Sequence, residues 1–179
     1  VSTGIFHSDY WTIKCDSDGD LMKSKVFDAS NADLAFGIAI DSNDDVIVTG
    51  SSNHSGVLKY CTIRYDNNLD LKKDPVYYGP GDENSASGVA IDSSGNIFVT
   101  GASGVNGDKD YLTVKYRNDL SFKDKASYSV SYDDDAIGID VDSNDNVVIT
   151  GTSNNHFCTI KYDNGLNFEW AVFEDTFIG

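Results

Sequence analysis

The chain has 179 residues, with 29 acidic side chains against 13 Lys and Arg and a formal net charge of −16. That balance argues against nucleic acid, whose phosphates need clustered cations, and against an anionic membrane surface. No apolar run approaches the roughly 18 residues of a membrane-spanning helix, so no membrane insertion is expected, while 40 % hydrophobic residues suffice for a packed core.

In chain order, Val1 to Gly4 reads as the end of a strand and Trp11-Thr12-Ile13-Lys14 as the next strand. The turn Asp16-Ser17-Asp18-Gly19-Asp20 follows. A full unit then opens with a strand over Gly37 to Asp41 and a turn over Asp41 to Asp45. Its second strand is Val46 to Gly50, followed by a longer Ser/Asn/Gly loop over 51–59. Tyr60 to Tyr65 is its third strand, Asp66 to Asp70 a turn, and Leu71 to Tyr78 its fourth strand. Short runs rich in Val, Ile and Tyr, bounded by Asp, Asn and Gly, are strand signals, and no segment sustains a helical period.

The phrases of that unit return. Ser87-Gly88-Val89-Ala90-Ile91-Asp92 and Ile137-Gly138-Ile139-Asp140-Val141-Asp142 repeat its first strand. Leu112-Thr113-Val114-Lys115 and Cys158-Thr159-Ile160-Lys161 repeat Cys61-Thr62-Ile63-Arg64. The Thr-Gly pairs at 49–50, 100–101 and 150–151 recur after 51 and then 50 residues. All-β self-similarity at this period predicts a β-propeller of four-stranded blades. The expectation is one domain, 1–179, with a partial blade at 1–34 and blades at 35–84, 85–135 and 136–179. That is three complete blades and a partial first one, from which a seven-bladed ring cannot close.

The run from Gly88 to Gly101 together with Tyr111 to Tyr116 resembles the SBBP-type bacterial and archaeal β-propeller repeat, and residues 37–65 match it well. The match weakens where Asp140 stands in place of Ala. The resemblance implies a secreted or surface-exposed protein of several blades and carries no catalytic site with it.

Small residues have packing roles in this scheme. Gly37, Gly88 and Gly138 would open innermost strands where a side chain clashes, and Gly50, Gly101 and Gly151 would need close packing or positive φ. Cys15, Cys61 and Cys158 have no metal-ligand spacing and read as three buried thiols. Lys14, Arg64, Lys115 and Lys161 recur at one position and read as structural partners of a neighbouring blade's Asp. Tyr10, Tyr60, Tyr111 and Phe157 read as core. His7, His54 and His156 fall on loops between second and third strands and read as solvated.

Of the 29 acids 26 are Asp, which suits turns, where the short carboxylate bonds nearby N–H groups. The best local calcium candidate is Asp16, Asp18 and Asp20, alternating acids beside a flexible Gly, although Leu21 and Phe27 stand where a complete EF-hand loop needs Gly and a bidentate acid. No other cofactor is expected.

An incomplete blade leaves an open edge and an apolar face that invite pairing. The expected function is therefore a non-enzymatic extracellular or cell-surface structural protein that associates with itself, as a closed oligomer or a filament. Val1, Ile5, Trp11, Trp170, Val172, Phe173, Phe177 and Ile178 would form the junction. The start at Val1 suggests a processed chain or a piece of a longer one. One alternative is an adhesin or lectin binding surface glycans or other extracellular proteins through the loops at 51–59, 102–110 and 152–156. Another is a polysaccharide lyase or hydrolase acting in the channel.

Overall fold

A computed structural model describes residues 9–29, 32–130, 133–154 and 156–174. These residues are all-β, with fourteen strands in four antiparallel sheets. The first sheet pairs β1 (Tyr10–Cys15) with β2 (Leu21–Phe27). The second is β3 (Asp33–Ile40), β4 (Val46–His54), β5 (Val57–Tyr65) and β6 (Val76–Tyr78) in sequence order. The third runs β7 (Glu83–Ile91), β8 (Ile97–Val105), β9 (Asp108–Tyr116) and β10 (Phe122–Tyr128). The fourth runs β11 (Asp134–Val141), β12 (Val147–Ser153), β13 (His156–Tyr162) and β14 (Phe168–Glu174).

Each large sheet repeats the same irregularity. A register shift lies between Ala35 and Gly37, between Ala86 and Gly88, and between Ala136 and Gly138, so Phe36, Ser87 and Ile137 are the bulged residues. The bulge brings the first strand's backbone hard against the glycine opposite. A Cβ at Gly50, Gly101 or Gly151 would overlap the carbonyl oxygen of Leu34, Ser85 or Asp135. Close packing, not positive φ, is what these three positions require.

The turns share one chemistry. In Asp41 to Asp45 the Asp41 Oδ1 accepts the N–H groups of Asn43 and Asp45 at 2.8 and 3.0 Å, while Asp44 takes φ 61°. The same pattern recurs with Asp16, Asp66, Asp92 and Asp142 as the acceptor. In the third-to-fourth strand turns the positive-φ place is taken by Leu69, Leu120 and Leu166, all buried. Leu is costly at that φ, and burial of its side chain in the inter-sheet core offsets the strain.

Three expectations need correction. The segments 51–59 and 102–110 are not loops: β4 and β5 continue to Ser55-Gly56, and β8 and β9 to Asn106-Gly107. Both pairs have φ of 56° and 85°, the two-residue hairpin turn whose twist matches the strands. At 152–156 the strands similarly run to Ser153 and from His156. Cys15 is exposed while Cys61 and Cys158 are buried. Phe157 is 59 % exposed, unlike Tyr10, Tyr60 and Tyr111. The reason in both cases is that no described residue lies over the outer face of the first or the last sheet.

Candidate functional site: two uncovered sheet faces

The core lies between successive sheets, and each contact is built the same way. Third-strand residues alternate, Tyr60 and Thr62 facing the following sheet, Cys61 and Ile63 the preceding one. Tyr10 thus packs with Val46, Val48, Cys61 and Ile63 of the second sheet. Tyr60 and Ile47 pack with Ile97, Val99, Leu112 and Val114 of the third. Phe98 and Tyr111 pack with Val147, Ile149, Cys158 and Ile160 of the fourth.

Two polar latches cross every contact. The Tyr10 hydroxyl donates to the Cys61 carbonyl at 3.1 Å, Tyr60 to Leu112 at 3.1 Å and Tyr111 to Thr152 at 3.0 Å. The recurring cations make the second latch: Lys14 donates to the backbone and side-chain oxygens of Asn67, Arg64 to those of Asn118, and Lys115 to those of Asn164. The expected pairing with a neighbouring sheet's Asp is therefore corrected. Arg64 is held by Asp41 and Asp45 of its own sheet, each at 2.6 Å, and what it grips in the neighbour is an Asn turn. Lys72 also reaches Asp45 at 2.6 Å. Burial alone would raise the Asp45 carboxyl, but hydrogen bonds from Lys72 and Arg64 outweigh it and hold that group below its ordinary value.

Among the described residues, the same faces lie open at the two ends. Trp11 and Ile13 occupy the places of Cys61 and Ile63, yet are 68 % and 53 % exposed where their counterparts are fully buried. Val26, opposite Trp11, is 54 % exposed on the same face. On β3, Ile38 and Ile40 are exposed on the side facing the first sheet, and Ile38 lines a cavity with Trp11 and Ile13, while their counterparts Val89 and Ile91 pack against the preceding sheet. On the fourth sheet, Phe157 stands where Tyr10, Tyr60 and Tyr111 stand in theirs, and it has no hydroxyl to donate. Val172, opposite Thr159, and Trp170, opposite Lys161, share its face and are exposed. Lys161, with no Asn turn to grip among the described residues, lies near Glu169 at 3.3 Å and Asp142 at 3.6 Å.

The predicted junction residues thus fall into groups. Trp11 lies on one open face, and Trp170 and Val172 on the other. Phe173 is opposite Cys158 and so points to the inner side of the last sheet. Val1, Ile5, Phe177 and Ile178 lie outside the described residues, as does His7. Asp16, Asp18 and Asp20 form a turn in which Asp16 Oδ1 accepts the Asp18 and Asp20 N–H groups at 2.9 Å. His54 stacks on Tyr77 at 4.1 Å between ring centroids.

The first strands approach one another closely. A Cβ on Gly37 would lie 3.1 Å from the Gly88 Cα, and one on Gly88 would lie 2.9 Å from Ile139 Cγ2. One on Gly138 would meet only Thr150 Cγ2 of its own sheet, at 3.3 Å. Beside these strands is a cleft of roughly 560 Å³, bordered by the bulged residues Phe36, Ser87 and Ile137 and by Glu83, Lys109 and Asp135.

No protein-family model matches this sequence, and no curated protein sequence is significantly similar to it.

Proposed function

We propose that the four sheets are blades of an SBBP-type β-propeller repeat, and that the chain is a non-enzymatic, extracellular or cell-surface structural protein assembling head to tail with copies of itself. One observation carries this reading: the two open faces are the two halves of the contact that the molecule already makes three times internally. Trp11, Ile13 and Val26 offer one half, and Phe157, Thr159 and Val172 the other. Charge agrees, because Lys161 would meet the acidic Asp16 to Asp20 turn, which stands where Asn67, Asn118 and Asn164 receive the other cations. Face-to-tail contacts of this kind give a closed ring if the rotation closes and a filament if it does not.

Charged substitutions at exposed positions test it. Trp11→Asp and Phe157→Asp each spoil one face, so each variant alone should sediment as a monomer. An equimolar mixture retains one good half on each partner and should give a discrete dimer. Failure of the mixture to associate, with the unmodified chain still oligomeric, overturns head-to-tail pairing. The cleft beside Phe36, Ser87 and Ile137 supports a second reading, a module that binds glycans or other extracellular proteins. Saturable glycan binding lost on Ile137→Arg would favour it.

A further inference from the structure

The first contact between sheets holds a polar cluster that neither latch uses. Asp9, which precedes β1, Asp28, which follows β2, and Asp33, which opens β3, bring one carboxylate oxygen each to within 4.8 Å of one another. They are the only such group among the described residues. Asp33 is fully buried, its Oδ2 accepts the Ala29 N–H at 2.6 Å, and its Oδ1 has no hydrogen-bond partner. Asp9 Oδ1 is likewise buried and unpartnered. Among the described residues no Lys, Arg or His forms an ion pair with Asp9 or Asp33. Buried carboxylate oxygens left this way are costly without a compensating charge.

The neighbouring contact supplies that compensation in another form. Where the first contact has Asp9, the second has Lys59; where it has Asp33, the second has Asn84. Lys59 Nζ donates to the Gly79 carbonyl and lies 3.4 Å from that of Gly81. Asn84 Nδ2 donates to Leu58 and Gly81, and its Oδ1 accepts from Ser103 at 2.7 Å. A fixed side-chain cation and a neutral amide thus fill a place that the first contact lines with acids. The third contact has Asp110 and Asp134 at the two positions, with Ser129 where the first has Asp28. Asp134 is equally buried, its Oδ2 accepts the Val130 N–H at 2.9 Å and its Oδ1 is also unpartnered. What sets the first contact apart is the convergence of three carboxylates.

We propose that Asp9, Asp28 and Asp33 bind a calcium-type divalent cation that ties the first sheet to the second. Hard carboxylate oxygens are the preferred ligands of calcium, whose bonds of about 2.3–2.6 Å allow donors on opposite sides of the ion to stand about 4.6–5.2 Å apart. Magnesium's shorter bonds, about 2.0–2.1 Å, would draw the three groups closer. Asp28 is exposed, so water reaches the open side and completes the coordination.

The test is calcium titration of the full chain, at a protein concentration too low for association, by calorimetry and by thermal unfolding. At a hundredfold excess over Kd the unfolding temperature should rise by about 5–10 °C. Asp28→Asn, at an exposed position, and Asp33→Asn should each weaken binding at least tenfold. Asp9→Lys with Asp33→Asn, which installs the second contact's chemistry, should abolish the response and raise stability without calcium. Asp18→Asn in the exposed turn should leave calcium binding and the calcium-dependent rise in unfolding temperature unchanged. No binding at millimolar calcium overturns the site. An equal response in Asp28→Asn and the double variant, or an equal effect of magnesium at the same ionic strength, also overturns it by marking general screening of the acidic surface.

Discussion

Arg64 is the residue whose loss should cost the most for its size. Its side chain is 6 % exposed and its two acidic partners, Asp41 and Asp45, are 2 % and 5 % exposed, while it also grips the Asn118 turn of the next sheet. Arg64→Met keeps most of the volume but leaves two buried carboxylates, Asp45 with Lys72, which is 45 % exposed, and Asp41 with the neutral Asn118 amide at 3.4 Å. Breaking a buried pair by removing one partner costs about 3–5 kcal/mol, because the remaining charge is stranded. For a chain of this length that lowers the unfolding temperature by about 6–20 °C. The pH dependence gives a second readout. Asp45 titrates below its unfolded value, so its contribution is complete above the unfolded pKa and is lost as pH falls through the folded one. In Arg64→Met, burial acts with one hydrogen-bonding cation fewer and the Asp45 carboxyl moves up, so acid neutralises the stranded charges. Urea unfolding at pH 7 and pH 3 should show the deficit large at pH 7 and smaller at pH 3. A variant within about 1 kcal/mol of the unmodified chain at pH 7, or an equal deficit at both pH values, refutes the assignment.

Gly37→Ala should destabilise the chain by about 1–3 kcal/mol in urea unfolding, since the new methyl meets the Gly88 backbone, whereas Gly138→Ala, facing only the Thr150 methyl, should cost less than about 1 kcal/mol. Burial pushes the Cys61 thiol up to about 12 and raises Cys158 as well, so maleimide at pH 7 should label one cysteine of three, the exposed Cys15. Because Cys15 shares a face with Ile13, its labelling should slow as protein concentration rises, followed by mass spectrometry. Phe157→Tyr restores the hydroxyl that crosses the three internal contacts, and should tighten self-association by roughly three- to tenfold in sedimentation, the worth of about one net hydrogen bond.

Much of the architecture was legible because the repeat states it several times. The bulge glycines, the Asp turns and the alternation of Tyr60 to Tyr65 are local patterns with local causes. The hairpin at 106–107 was also legible, since Asn-Gly is a strong two-residue turn signal. The Ser, Asn and Gly around both hairpin turns also match loop composition, so the ends of β4, β5, β8 and β9 carry no strand signal of their own. Exposure at Cys15 and Phe157 was not legible, because a residue's face follows from alternation but its cover depends on what packs above it. The partner of the recurring cations had a usable signal: Asn67, Asn118 and Asn164 hold the same place in three turns. Asp9, Asp28 and Asp33 had almost none. They come from three elements and meet only when the first two sheets pack, so no spacing rule connects them.

The central claim is that the two open faces belong to one another. Light scattering on the unmodified chain over a wide concentration range tests it most directly. The expected result is a mass that rises with concentration above the 19.4 kDa of one chain, either to a discrete oligomer or to a distribution of larger species. A mass fixed at 19.4 kDa over the whole range contradicts it.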